Sequence, residues 1–131
     1  MELTLYDYVI NIVGVIIVPI CMMITASRWA DNPTEYKNGG VQLSGYKTPR
    51  AVKSKETWDF SQKYYWGWVE SLSLWVLIGS IVLIVRNIST THFIYEMLKI
   101  IGIQIVVFLL PAIPTEIQLR RQFDEAGLPK K

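Results

Sequence analysis

The side chains that could make this protein a catalyst are few, and their spacing keeps them apart. His92 is the only histidine and Cys21 the only cysteine in 131 residues. Zinc-type centres gather several such ligands; here one of each lies in separate parts of the chain, so neither a metal nor a cofactor is expected. Cys21 lies inside an apolar block and reads as a small helix filler, and a lone cysteine allows no internal disulfide. Neither a glycine-rich phosphate cradle nor a nucleophile elbow occurs. Ser71 and Ser73 read as small helix-packing residues. The chain is read as a non-enzyme.

Charges within apolar sequence are the next place where chemistry could reside, because lipid makes them costly. Glu70 is the intramembrane polar candidate. It sits about one turn inside an apolar block, as an ion or proton site or as an interfacial acid near Lys63 or Arg28. A single acid makes no relay, which favours the second reading. Glu96 and Lys99, three apart, have the spacing to pair on one helix face.

Three long apolar blocks must position these residues, and together they make the fold class an all-α membrane protein with three transmembrane helices. The chain is 51% hydrophobic and 18% charged, with the charges mainly between and after the blocks. The spans are expected at about 5–25, 66–86 and 93–113, each near the 20 or so residues that a bilayer core of about 30 Å requires. Met1-Glu2 offers no basic leader and Asp7 just precedes the first block, so that block is expected to be retained. Pro19 lies mid-span, removes one donor and frees the carbonyl of Val15. Neighbouring helices have to satisfy that group.

Lys and Arg counts set the orientation. None precedes the first span, whereas the connection 26–65 carries Arg28, Lys37, Lys47, Arg50, Lys53, Lys55 and Lys63. The turn between spans two and three has Arg86 alone at its edge, and the tail 114–131 has Arg120, Arg121, Lys130 and Lys131. The N-terminus is therefore expected outside, with the long loop and the tail inside. The net charge of +2 is too small to suggest nucleic acid as a partner. Basic groups of the loop suit the anionic headgroups of a bilayer, at about 1 kcal/mol each.

Ser54 is a good N-cap with Glu56 in the first turn. No proline follows until the second span has ended, so a helix from Lys55 would run about 48 Å to Arg86. It must either project from the membrane or bend near Gly67 into an interfacial helix. Trp58, Phe60, Tyr64, Tyr65, Trp66 and Trp68 suit a headgroup-level collar. In the tail, Thr115-Glu116-Ile117-Gln118 fits a capping box for a short cytoplasmic helix, ending near Ala126 with Gly127 as its left-handed stop.

The densest polar stretch is Gly45-Tyr46-Lys47-Thr48-Pro49-Arg50, followed by Lys53-Ser54-Lys55-Glu56-Thr57-Trp58. It resembles the signature of the SdpI family, bacterial membrane proteins of immunity to a secreted sporulation-delaying toxin. That signature is a Gly-aromatic-Arg-Thr-Pro turn, then a Glu-Thr-Trp helix start. Pro114 to Arg120, Phe123-Asp124 and Gly127 are similar to the family's C-terminal pattern. The usual Arg is Lys47 here, which removes a planar two-pronged donor, and the segment Asp31 to Leu43 is longer than usual.

The resemblance implies a single domain over 1–131 in the bacterial cytoplasmic membrane. It implies protection against a membrane-active peptide toxin and contact with a cytoplasmic repressor protein. Gly45, Tyr46, Lys47, Thr48, Pro49, Arg50, Glu56, Thr57 and Trp58 are its motif residues. The competing reading is an accessory subunit of a larger membrane complex, favoured by small size and few buried polar groups.

Overall fold

The computed structural model describes residues 2–42 and 44–131, and it is all-helical apart from loops and one isolated bridge. Helix α1 spans Leu5–Asp31, α2 Lys55–Asn87, α3 Phe93–Leu109 and α4 Ala112–Gln122. Three runs are long and apolar enough to cross a membrane: α1, α2, and Phe93–Gln122. Large apolar side chains face outward along them, including Ile17 at 51%, Val82 at 60% and Ile105 at 54% exposure. In water such a surface would aggregate, whereas in a bilayer it is the solvated face. The chain is built as a multi-pass membrane protein.

Local chemistry fixes the helix ends. Thr4 caps α1 in a reciprocal box with Asp7, whose carboxylate accepts the Thr4 N–H at 2.8 Å. The helix continues six residues past Thr25, because no breaker occurs before Pro33, which forces Asn32 out of helical geometry. Ser54 caps α2 as expected, but the reciprocal partner is Thr57, with Glu56 left to the first-turn dipole. Helix α2 is unbroken over 33 residues across Gly67, so it does not bend there into an interfacial helix, and its length of about 50 Å exceeds a bilayer core of about 30 Å.

The tail departs from the sequence reading. Helix α4 begins at Ala112, so Thr115 is interior rather than a cap, and its hydroxyl donates to the Pro111 carbonyl at 2.7 Å. Pro111 and Pro114 lack N–H groups, which leaves fewer donors to cap in this first turn. The helix ends at Gln122, before the expected Ala126. There Phe123 turns extended, its ring is buried, and its backbone bridges to Pro129. Gly127 has φ +82°, as a left-handed stop should, but within the following turn, where the Asp124 carboxylate accepts the N–H groups of Ala126 and Leu128.

Two buried clusters fill the bundle. One lies where α1 begins and α2 turns into α3, with Val15, Ile84, Phe93, Met97 and Ile100, and with Tyr8 against Phe93 at 4.7 Å. The other, at the opposite end, brings Ala26, Tyr46, Tyr65, Trp66, Phe108 and Leu119 together. Between them is a polar clasp. Gln104 of α3 donates through Nε2 to the Val15 carbonyl at 2.9 Å and to Ser80 Oγ at 2.8 Å. Val15 O is the acceptor that Pro19 leaves without its helical partner, so the third helix meets the need created in the first. Other span residues turn their donors onto their own helix: Asn11 to Asp7 O, Ser73 to Val69 O and Asn87 to Leu83 O.

Candidate functional site

The motif residues converge where the loop crosses the projecting end of α2, and Gly45 is the pivot. Its φ of +103° suits glycine alone, and a Cβ would stand 2.6 Å from Gln62 Oε1. This close approach lets the Gln62 amide reach both sides of the next residue. Gln62 Oε1 accepts the Tyr46 N–H at 2.8 Å, and Gln62 Nε2 donates to the Tyr46 carbonyl at 2.8 Å. Trp66 Nε1 adds a third bond, donating to Gln62 Oε1 at 3.2 Å. Buried backbone groups of an irregular loop are thus satisfied by one side chain, which is 1% exposed.

Tyr46 then ties the loop to the tail. Its ring stacks on Tyr65 at 4.5 Å and its hydroxyl donates to Glu116 Oε1 at 2.9 Å. Thr48 donates to the same oxygen at 2.5 Å and accepts the Ala51 N–H at 3.2 Å. Burial first, and then the Glu116 carboxylate, push the Tyr46 hydroxyl well above its ordinary value. Tyr65 sends its own hydroxyl to the Phe108 carbonyl at 2.8 Å, near the break between α3 and α4.

The second half of the motif closes the other side. Thr57 and Trp58 are fully buried. Thr57 donates to the Ala51 carbonyl at 3.1 Å, and Trp58 Nε1 donates to the Thr34 carbonyl at 2.6 Å. Ser54 donates to the Gly127 carbonyl at 2.7 Å, where a Cβ on Gly127 would crowd Lys53 and Ser54 at 3.0–3.1 Å. The expected headgroup collar therefore divides. Trp58, Tyr65 and Trp66 form an internal core beneath the loop, while Trp68, 45% exposed, stays outside. Aromatic composition alone could not separate an interfacial ring from a lid's underside.

The motif has an inward and an outward half. Gly45, Tyr46, Thr48, Thr57 and Trp58 bind loop to helix, whereas Lys47, Pro49 and Glu56 are exposed and Arg50 is half-buried. Pro49, Arg50, Lys53 and Glu125 line a cleft of about 290 Å³. Lys47 Nζ donates to the Gln42 carbonyl at 3.3 Å, and Lys55 pairs with Asp59 at 2.6 Å. Glu70 is exposed on α2, is not joined to this junction, and has no hydrogen bond or ion pair among the described residues. Glu96 and Lys99 pair at 2.7 Å, as their spacing implies. Leu43, at the end of the extended segment, lies outside the described residues.

Gln62 escaped the sequence reading, although it falls at i+4 from Trp58 and i−4 from Trp66 on one face of α2. Gln104 and Ser80 escaped it too. The one available signal was the expectation that some neighbour must satisfy Val15 O.

A family model described as the SdpI/YfhL protein family matches residues 40–115. This chain belongs to that family. The match begins just before the Gly45 turn, covers both halves of the motif together with α2 and α3, and ends at Thr115. No curated protein matches the chain, and no solved structure does.

Proposed function

We propose that this chain is an immunity protein of the bacterial cytoplasmic membrane, protecting its cell against a membrane-active peptide toxin by binding rather than by catalysis. The family match over residues 40–115 carries this reading. In the proposed orientation the N-terminus is outside, and the loop and tail are inside, where eleven of the thirteen Lys and Arg residues fall. Such a toxin arrives from outside, so the spans would give protection. The motif junction would build the inner face and, through Lys47, Arg50 and Lys53, any contact with a repressor protein. In support, the motif's inward half is already occupied in holding the loop onto α2 and α4.

Survival of toxin-exposed cells expressing Lys47→Ala or Arg50→Ala tests this division. Both variants are expected to protect like the wild type. Loss of protection in variants that still insert and accumulate normally would contradict it.

A further inference from the structure

At the loop end of the bundle, α1 presents a cation above an apolar track. Thr25, Arg28, Trp29 and Asn32, together with Ile24, line a cleft of about 530 Å³. None of the four polar side chains makes a hydrogen bond or ion pair among the described residues. No carboxylate lines the cleft, and the neighbouring Asp31 lines a separate one with Lys55 and Lys63. The exposed Arg28 guanidinium therefore carries a charge that its own surroundings do not balance. Trp29 lies edge-on to Trp66 at 4.8 Å and belongs at headgroup depth, where tryptophan is favoured. Towards mid-membrane, Ile24, Cys21 and Ile17 follow Arg28 at i−4, i−7 and i−11 on the same helix face, all exposed. From Ile17 to Arg28 the helix rises about 16 Å, one leaflet of a core about 30 Å thick. Donors above a leaflet-long apolar track match the form of a phospholipid.

We infer that this cleft binds one anionic phospholipid, its phosphate held by Arg28 and Thr25 and its acyl chain lying along Ile24, Cys21 and Ile17. Guanidinium and phosphate match in charge and in two-pronged geometry. The headgroup ends in hydroxyls, as in phosphatidylglycerol, because no acid in the cleft could receive an ammonium beside Arg28. Trp29 and Asn32 offer neutral polar groups to those hydroxyls. The C-terminal end of α1 disfavours an anion by its dipole, so binding depends on Arg28. An acidic protein segment would match Arg28 and leave the apolar track unused. Such a site needs only that α1 spans a bilayer; it stands whichever end faces the cytoplasm and whether or not the chain confers immunity.

The test is native mass spectrometry of the full-length chain in mild detergent, titrated with dioleoyl phosphatidylglycerol, dioleoyl phosphatidylethanolamine or glycerol phosphate. We expect one phosphatidylglycerol to bind per chain, more tightly than phosphatidylethanolamine, and glycerol phosphate not to bind. Arg28→Ala should weaken that binding by about tenfold or more, as for loss of a hydrogen bond to a charged group. Thr25→Val keeps the shape, removes the hydroxyl and should weaken it by about threefold or more. Both substitutions remove polar groups that hold nothing in the chain, so folding is retained. Arg121→Ala removes an equal charge from the exposed surface of α4 and should leave binding unchanged. Wild-type affinity in Arg28→Ala, or an equal loss in Arg121→Ala, overturns the site in favour of general attraction to the basic end. Equal affinity for the two lipids also overturns it, as does glycerol phosphate binding as tightly as the lipid, which would make the ligand a soluble phosphate.

Discussion

At the residue scale, the motif's glycine and its buried amide act as one unit. Replacing Gly45 by Ala puts a Cβ 2.6 Å from Gln62 Oε1 at a φ that disfavours any side chain. We expect a loss of about 1–3 kcal/mol, read as a lower midpoint for unfolding in mild detergent, with insertion retained. Glu116→Gln keeps an acceptor for Tyr46 and Thr48 and should cost less than Glu116→Ala, which strands both hydroxyls. Tyr46 also predicts a pH dependence. Its hydroxyl ionises at higher pH in the folded state than at its ordinary value of 10.0, so the folded state favours the neutral form. The resulting stability is complete below pH 10 and is lost as pH rises beyond it. Tyr46→Phe should flatten that alkaline fall when unfolding is followed from pH 8 to 11; an unchanged slope would remove Tyr46 from the account.

At the element scale, the three helices depend on one another through Pro19. Gln104→Leu leaves the Val15 carbonyl and Ser80 without their shared donor and should destabilise the bundle by about 1–3 kcal/mol. Pro19→Ala restores an N–H that can reach Val15 O within α1. Gln104→Leu should then cost less in the Pro19→Ala background than alone, a coupling that a double-mutant cycle in denaturant measures. Strictly additive effects would contradict the clasp. Helix existence was legible from the sequence because lipid demands long apolar runs, and the start at Lys55 followed from Ser54, whereas the Thr4–Asp7 box that begins α1 was not read. Nor was the start of α4. Thr115 and Gln118 have capping-box spacing, but the two prolines that remove nearby donors also make that cap unnecessary. Nor could spacing alone show that Trp58 and Tyr65 point under the loop, since that depends on Gly45 bringing distant backbone close.

For the whole molecule, the two ends of the bundle are built differently. One is a short turn beside Tyr8 and Phe93; the other is a cap of loop, α4 and tail, welded by Gln62 and Glu116 and carrying most of the basic side chains. In the proposed orientation, sidedness decides what each end would meet: the cell exterior at the first, the cytoplasm at the second. The direct measurement is labelling with a membrane-impermeant thiol reagent in intact cells, using Ser89→Cys and Arg50→Cys in a Cys21→Ala background. Residue 89 should be labelled in intact cells, and residue 50 only after the membrane is permeabilised. Labelling of residue 50 from outside, with residue 89 protected, would invert the molecule and contradict the account.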